Sequence, residues 1–170
     1  ACDISRRVAR CKRSASMNNE IEKVGVVGLG VMGFDIAFLY AIKGFQTLVY
    51  DASKSVMDSL TDRREQTIER LEKRSRISEE EVEHVRKLLI PSSELAGLAG
   101  ADLVTEAVSE NTKTKLAVYQ ALRQAGFTGI LTTNTSSVTR ASLLSDGAYD
   151  NRRFALTHFF NPVLYTQMVE

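Results

Sequence analysis

The six residues Gly28-Leu29-Gly30-Val31-Met32-Gly33 constrain the fold of this chain more than any other part of its sequence. This G-x-G-x-x-G pattern follows the valine-rich run Lys23–Val27 and opens the apolar segment 31–43, which predicts a buried strand, a tight turn and a helix. Gly28 suits the turn, Gly30 permits a phosphate to approach the backbone, and Gly33 permits close packing of helix on strand. The pattern therefore predicts a dinucleotide pyrophosphate at the helix N-terminus, where free N–H groups favour negative charge.

An acidic residue follows the second predicted strand. That strand spans Gln46–Tyr50 and completes a β-α-β unit within about thirty residues. Asp51 stands at its end, about twenty residues beyond the glycine pattern, where an acid accepts hydrogen bonds from the adenosine ribose. A carboxylate would repel a 2′-phosphate about 4 Å away by about 1 to 4 kcal/mol, and Lys54 is the nearby residue that would offset this repulsion. The sequence therefore predicts NAD rather than NADP.

Helices and strands continue to alternate along the rest of the chain. Residues 53–74 predict a charged helix, and Ser78 with Glu81 forms a capping box that begins a second helix, which ends before Pro91. The next predicted elements are a strand at 102–107, a helix at 113–125, and strands at 129–133 and 154–158. This order predicts an α/β fold, namely a Rossmann-type, mostly parallel sheet with helices on both faces and a charged helical hairpin as an insertion.

Composition excludes several classes of protein. The chain has 22 Lys and Arg against 21 Asp and Glu, a formal charge of +1, which argues against nucleic acid or an anionic membrane surface as partner. Its apolar stretches are far shorter than the roughly 20 residues of a membrane helix. Cys2 and Cys11 lack a CxxC spacing, which argues against a disulfide framework, and we expect no metal site. We therefore expect a reducing compartment, the cytoplasm, with the mitochondrial matrix as the alternative.

The two ends of the chain differ from its middle. Residues 1–20 are polar, carry five basic residues against two acidic ones and show no periodicity, which predicts a flexible basic arm or leader. An organelle-import leader and an expression-derived leader upstream of Met17 are both open. Residues 21–170 are expected to form one domain. Val169 and Glu170 close the chain without a turn, cap or polar tail, so we expect a second half of the protein.

Polar residues follow the predicted strands at their carboxyl ends, where ligands bind in open α/β sheets. His158 is the one histidine at a strand end, whereas His84 lies in a Glu-rich helix and is interpreted as a solvated surface residue. Imidazole beside a nicotinamide is well matched to take the hydroxyl proton during hydride transfer. His158 is therefore predicted to be a catalytic base, with a core histidine as the alternative.

Two further side chains are predicted near His158. Glu170 lies twelve residues later, across the turn at Asn161-Pro162. A returning strand would bring its carboxylate to the far ring nitrogen, where it would orient the imidazole and stabilise the imidazolium. Ser137 offers a hydroxyl in the same crevice, and the alternative is that it caps a helix beginning near Arg140.

Four ordered motifs resemble a known family: VGVVGLGVMG with Asp51, DLVTEAVSEN with Lys115, NTSS, and HFFNP closing on VE. From about residue 23 to residue 170 they are similar to the N-terminal half of the 3-hydroxyacyl-CoA dehydrogenase family of fatty-acid β-oxidation. The resemblance implies NAD as cofactor and an acyl-CoA as substrate. The implied reaction converts L-3-hydroxyacyl-CoA and NAD⁺ into 3-oxoacyl-CoA, NADH and H⁺.

The resemblance also implies residue roles. His158 would be the base, Glu170 its orienting partner, and Ser137 a contact of both the cofactor and the substrate hydroxyl. The implied NAD contacts are Gly28, Leu29, Gly30, Val31, Met32, Gly33, Asp51, Glu110, Lys115, Ser137 and Asn161. The family carries a further helical domain that closes the acyl pocket and forms a homodimer, so a homodimer is expected only with that domain. The chain as given is expected to bind NAD but to turn over substrate poorly.

The chain departs from the family at several positions. Asp35 stands where a small residue is usual, and Leu60 and Thr67 fall near the serine and lysine that usually contact CoA. Arg63, Arg64 and Arg70 are candidates for that contact, and the alternative is that they form a solvated helix face. Two other functions stay open: an NAD dehydrogenase of another hydroxy acid, such as a sugar acid, and a non-catalytic NAD-binding module. Phe159 and Phe160 argue against a polar sugar acid.

Overall fold

The computed structural model describes residues 21–144, 147, 149–166 and 168–170. The basic arm or leader predicted for residues 1–20 lies outside these residues. Within them, no helix is long and apolar enough to cross a membrane.

One sheet of six parallel strands organises the described chain. Its strands are β1 Lys23–Val27, β2 Gln46–Tyr50, β3 Leu89–Pro91, β4 Leu103–Glu106, β5 Ile130–Thr133 and β6 Phe154–Leu156. They pair in the order β3-β2-β1-β4-β5-β6, with parallel register at every junction. The order reverses between β1 and β4, so a crevice opens beyond the carboxyl ends of these two strands. This topology confirms the predicted Rossmann-type α/β fold.

Helices cover both faces of the sheet. They are α1 Val31–Ile42, α2 Lys54–Asp58, α3 Leu60–Glu72, α4 Glu79–Leu88, α5 Thr112–Gln124, α6 Arg140–Leu144 and α7 Val163–Thr166. One apolar cluster packs α1, α3, α4 and α7 on the face that presents Val26. A second cluster packs α5 and α6 on the face that presents Val27. The alternation of successive strand side chains thus divides the core into two halves.

The charged helical hairpin differs from its prediction in two details and confirms a third. The helix expected over residues 53–74 is two helices, α2 and α3, which meet at Ser59. The predicted capping box of α4 is confirmed, since Ser78 accepts from the Glu81 N–H and the Glu81 carboxylate accepts from the Ser78 N–H. The chain then passes directly from α4 into β3, a short edge strand that the sequence did not predict. Proline is tolerated there because an edge strand need not pair on both sides.

His84 was wrongly interpreted as a solvated surface residue. The side chain is half-buried on α4, and its Nδ1 lies 3.4 Å from the carbonyl oxygen of Ile42 on α1. Helices α1 and α4 pack against each other, which places this ring between them.

Candidate active site

The glycine turn between β1 and α1 adopts a geometry that other residues would disturb. Gly28 has φ +88°, and a Cβ there would lie 2.8 Å from the main chain of Ala107. A Cβ at Gly33 would lie 1.8 Å from the carbonyl oxygen of Gly28. At Gly30, by contrast, a Cβ would meet nothing within 4 Å. Gly28 and Gly33 are therefore required by the fold, whereas Gly30 leaves open space in front of the turn.

This open space suits a pyrophosphate. Helix α1 begins at Val31 with Gly30 as N-cap, and no side chain caps it. The first N–H groups of a helix have no partner within the helix, and they attract an anion through both hydrogen bonding and the helix dipole. Val31 is 71% exposed, so it leaves the approach to these groups open. The turn of residues 28–33 thus fits the phosphates of a dinucleotide.

Asp51 is held beside the glycine turn at the end of β2. Its Oδ2 accepts a hydrogen bond from the Leu29 N–H at 2.7 Å, and its Oδ1 accepts from the Ser53 N–H at 2.8 Å. Each carboxylate oxygen has two acceptor positions, so one on each oxygen is left for a ribose hydroxyl. A cavity of about 460 Å³ adjoins Asp51 at the carboxyl ends of β2 and β3. The carboxylate could therefore hold an adenosine ribose.

Lys54 lines the same cavity but pairs with an acid. Its Nζ lies 2.8 Å from Oδ2 of Asp58, one turn along α2. The cation that would offset repulsion between Asp51 and a 2′-phosphate is therefore shared with a second carboxylate. Both acids favour a cofactor without that phosphate.

Arg63 contacts the glycine turn, a role that the sequence did not reveal. Its Nη1 donates to the Leu29 carbonyl at 2.7 Å, its Nη2 to the Gly30 carbonyl at 3.4 Å, and its guanidinium lies 4.2 Å from the centre of the Phe34 ring. Sequence reasoning named Arg63 as a candidate for CoA because it lies in the charged hairpin. No local pattern connects it with a turn more than thirty residues earlier, so only the fold could show this contact.

Asp35, which stands in α1 where the family usually has a small residue, lies near two arginines. Burial raises the pKa of the Asp35 carboxyl, and the charges of Arg70 and Arg63 act in the opposite direction. Burial lowers the pKa of Arg63, and Asp35 and Asp51 oppose that change. The charge of Asp35 is thus partly offset by two cations of α3.

Glu110 and Ser137 meet at the ends of β4 and β5. Oε1 of Glu110 accepts from the Thr135 hydroxyl, from the Ser136 and Ser137 N–H groups at 3.0 and 3.2 Å, and from the Ser137 hydroxyl at 3.2 Å. Burial alone would raise the pKa of Glu110, but these bonds and Lys115 outweigh it and lower the pKa to about 2. Both side chains are exposed in part, so they can also contact a ligand. Thr139, not Ser137, caps α6, since its hydroxyl accepts from the Ser142 N–H.

Lys115 is completely buried beneath this loop. Its Nζ lies 2.9 Å from Oε1 of Glu106 and 3.2 Å from Oε2 of Glu110. The side chain has no exposed surface, so its contact with NAD stays a prediction. Glu106, the buried partner, was not predicted from the sequence. An acid that directly follows the buried residues Val104 and Thr105 in the same strand is the signal that could have identified it.

His158 and Glu170 are brought together by a returning segment of chain. The His158 N–H donates to the Glu170 carbonyl at 2.8 Å, and the Glu170 N–H donates to the His158 carbonyl at 3.0 Å. Nδ1 of His158 lies 3.6 Å from Oε2 of Glu170. The next residue, Phe159, donates its N–H to Oδ1 of Asn134 at 2.9 Å, which ties this segment to the end of β5.

The imidazole of His158 is partly exposed to solvent and lies beside an aromatic ring. The side chain of His158 is 32% exposed, and its ring centre lies 4.6 Å from that of Phe160. Asn161, the remaining predicted cofactor contact, is exposed just before α7. An imidazole with a carboxylate on one nitrogen and solvent access can exchange a proton through the other nitrogen. This arrangement can perform general acid–base chemistry beside the crevice.

Comparison with known proteins gives consistent results. Residues 23–170 match the family model described as 3-hydroxyacyl-CoA dehydrogenase, NAD binding domain. The chain is 34% identical over 151 residues to a 3-hydroxyadipyl-CoA dehydrogenase of Escherichia coli K12, covering 88% of this chain and 32% of the relative. It is 33% identical over 159 residues to a probable 3-hydroxyacyl-CoA dehydrogenase of Caenorhabditis elegans, covering 88% of this chain and 52% of the relative.

A solved structure agrees with these relatives. The crystal structure of a 3-hydroxybutyryl-CoA dehydrogenase of Escherichia coli K12 superimposes with a TM-score of 0.79 at 34% identity, covering 88% of this chain and 32% of that one. The chain thus spans about a third to a half of the length of the curated relatives it matches. The matched region contains the glycine turn, Asp51, and both His158 and Glu170. The chain belongs to the 3-hydroxyacyl-CoA dehydrogenase family, and residues 23–170 are its NAD-binding domain.

Proposed function

We propose that this domain serves an enzyme that oxidises L-3-hydroxyacyl-CoA to 3-oxoacyl-CoA in fatty-acid metabolism, with NAD⁺ as the hydride acceptor. The observation that carries the proposal is the pairing of His158 with Glu170 at the sheet edge where the glycine turn offers free N–H groups. Hydride transfer from an alcohol releases a hydroxyl proton, which requires a base at this edge. The names of the relatives support an acyl-CoA as the substrate class.

Different residues of the site bind the cofactor and transfer the proton. The N–H groups at the start of α1 bind the pyrophosphate, and Asp51 accepts the ribose hydroxyls. NAD⁺ supplies the carbon that accepts the hydride from C3 of the substrate. Nε2 of His158 takes the proton of the C3 hydroxyl, while the Glu170 carboxylate beside Nδ1 stabilises the imidazolium that forms. The Ser137 hydroxyl contacts the substrate hydroxyl.

The acyl-CoA is recognised through the charged hairpin in this proposal. Thr67 and Leu60 are buried, which removes both from direct contact with CoA. Arg63 bonds the glycine turn, and Arg64 pairs with Glu65 at 2.9 Å. Arg70, exposed on α3, is the remaining candidate for a CoA phosphate. A homodimer and a cytoplasmic or mitochondrial location stay predictions.

Two assays on the intact polypeptide test the proposal. Titration with NADH, followed by fluorescence, is expected to show saturable binding that is stronger than binding of NADPH. Acetoacetyl-CoA is expected to be reduced slowly with consumption of NADH, whereas a keto sugar acid is not reduced. Reduction of the sugar acid alone would favour the other dehydrogenase, and NADH binding without turnover of either compound would favour a non-catalytic module.

A further inference from the structure

Glu106 occupies the centre of the crevice wall but lies too deep to contact a ligand. It is the last residue of β4, and its side chain is completely buried. Its Oε1 accepts from the Val108 N–H at 2.7 Å and from Lys115 Nζ at 2.9 Å. Its Oε2 accepts from the Tyr119 hydroxyl at 2.8 Å and from the Thr133 hydroxyl at 2.7 Å. Both oxygens are therefore fully used.

Stability alone gives a weak reason for this arrangement. A buried ion pair loses so much solvation that apolar residues of similar volume are often as stable or more stable. Here the Lys115 ammonium lies between two carboxylates, the buried Glu106 and the partly exposed Glu110. Burial, with the nearby Glu106 charge, raises the pKa of Tyr119, so its hydroxyl stays protonated and donates to Oε2 of Glu106, the oxygen that Lys115 does not contact.

The contacts continue from Lys115 to the surface. Lys115 Nζ lies 3.2 Å from Oε2 of Glu110. Oε1 of Glu110 accepts hydrogen bonds from the loop of residues 135–137. The main chain provides a second connection, since the Asn134 N–H donates to the Glu106 carbonyl at 2.8 Å and the Asn134 side chain accepts from Phe159. Glu106 is thus linked to both Ser137 and the segment that carries His158.

We infer that Glu106 is a positioning residue of the cofactor site. It fixes Lys115, and Lys115 in turn fixes Glu110 and the Ser137 loop in the orientation that receives the nicotinamide half of NAD. Lys115 then supports cofactor binding through Glu110. This inference rests on the proposed function where NADH affinity is measured. Its effect on the loop itself can be measured without any ligand.

The ligand-independent test measures amide hydrogen exchange at Ser136 and Ser137 in the full chain. Both N–H groups donate to Glu110, so Glu106→Gln is expected to speed their exchange about tenfold by loosening Glu110. Glu83→Gln, the same change on an exposed face of α4, is the matched control and is expected to leave both rates unchanged. Unchanged rates in Glu106→Gln would overturn the inference, even if the chain bound no NADH at all.

A double-mutant cycle on NADH affinity tests the route through Glu110. Glu106→Gln is expected to weaken NADH binding about tenfold, and Glu106→Gln/Glu110→Gln is expected to bind no more weakly than Glu110→Gln alone. Full additivity would show that Glu106 acts by another route. Absence of NADH binding by the wild-type chain would contradict the proposed function instead, and the exchange rates would still decide the inference.

Two more variants separate positioning from general support of the fold. Tyr119→Phe removes one hydrogen bond to Glu106 but leaves Lys115 in place. It is expected to lower Tm without changing NADH affinity or the Ser136 and Ser137 rates, and an effect on them equal to that of Glu106→Gln would overturn the inference. If Glu106→Gln fails to fold, Glu106→Gln/Lys115→Met removes both buried charges together. That variant is expected to show the same fast exchange, and native rates in it would refute the inference.

Discussion

The main chains of His158 and Glu170 exchange two hydrogen bonds, at 2.8 and 3.0 Å, and this pairing fixes how far apart their side chains can be. Nδ1 and Oε2 are 3.6 Å apart, which is longer than a hydrogen bond. Catalytic contacts often shorten only when substrate is bound. The backbone therefore holds the Glu170 carboxylate close to the His158 imidazole, and a small rotation of the Glu170 side chain would complete the contact.

Replacement of the proposed base is the most direct test of mechanism. His158→Gln is expected to lower kcat by about 10²-fold or more, because no group then gives a proton to the C3 oxygen during reduction or takes it during oxidation. NADH affinity is expected to be unchanged, since the turn of residues 28–33 and Asp51 are unaffected. Stopped-flow or steady-state assays with NADH and acetoacetyl-CoA measure the first quantity, and fluorescence titration measures the second. His84→Gln is the control, and native turnover in His158→Gln would remove this residue from the role.

Asp51 is expected to determine the choice between the two nicotinamide cofactors. Asp51→Asn should weaken NADH binding about 10- to 100-fold, the range expected for lost hydrogen bonds to a charged group. NADPH binding should weaken less, because the change also removes repulsion of the 2′-phosphate. The ratio of the two dissociation constants is the quantity to measure. Asp62→Asn, on the exposed first turn of α3, is the control; an equal effect on both cofactors would refute the ribose assignment.

Replacement by alanine is expected to affect the stability of the fold at Gly33 and the binding of NADH at Gly30. Gly33→Ala should destabilise the fold by about 3 kcal/mol, because its Cβ would lie 1.8 Å from the Gly28 oxygen. Gly30→Ala should leave Tm almost unchanged but weaken NADH binding, because its methyl group enters the open space in front of α1. Gly100→Ala, where a Cβ also meets nothing within 4 Å, controls for the loss of a glycine. Normal NADH affinity in Gly30→Ala would place the pyrophosphate elsewhere.

Glu110 is expected to make stability depend on pH in a defined acidic range. Its pKa in the folded protein is about 2, against an ordinary value of 4.5. Because the folded pKa is the lower one, the carboxylate stabilises the fold above pH 4.5, and this contribution is lost as the pH falls towards 2. Urea unfolding at a series of pH values should show a shallower loss in Glu110→Gln than in the wild-type chain. The control Glu83→Gln should follow the wild type, and identical slopes in all three proteins would contradict the shift.

The parts of the fold that were predicted correctly depend on local patterns. Strands β1 and β2 have the predicted limits because buried parallel strands are continuous apolar runs bounded by turn residues. β3 was missed because it has three residues, follows a helix without a turn and contains Pro91. The break between α2 and α3 was missed because the charges around Ser59 follow a helical pattern on both sides of it.

The residues of the site likewise separate into those that local patterns predicted and those that they missed. Asp51 was predicted beside the glycine turn because it stands at the end of β2, and Glu170 was predicted near His158 because the chain turns at Asn161-Pro162. Arg63 and Glu106 act through residues distant in sequence, at 34 positions for the Leu29 contact and 27 for Thr133. Such contacts depend on how helices pack on the sheet, which no single motif specifies.

The edge strand β3 has a consequence for the behaviour of this domain in concentrated solution. The Ser92 N–H donates inward to the Val49 carbonyl at 2.8 Å, so by alternation the nitrogen of Pro91 points away from the sheet. Proline has no hydrogen on that nitrogen, and the outer rim therefore lacks a donor where another chain would dock as an added strand. Sheets left open at an edge tend to aggregate. Pro91 thus protects one rim of the sheet from templating the growth of β-aggregates.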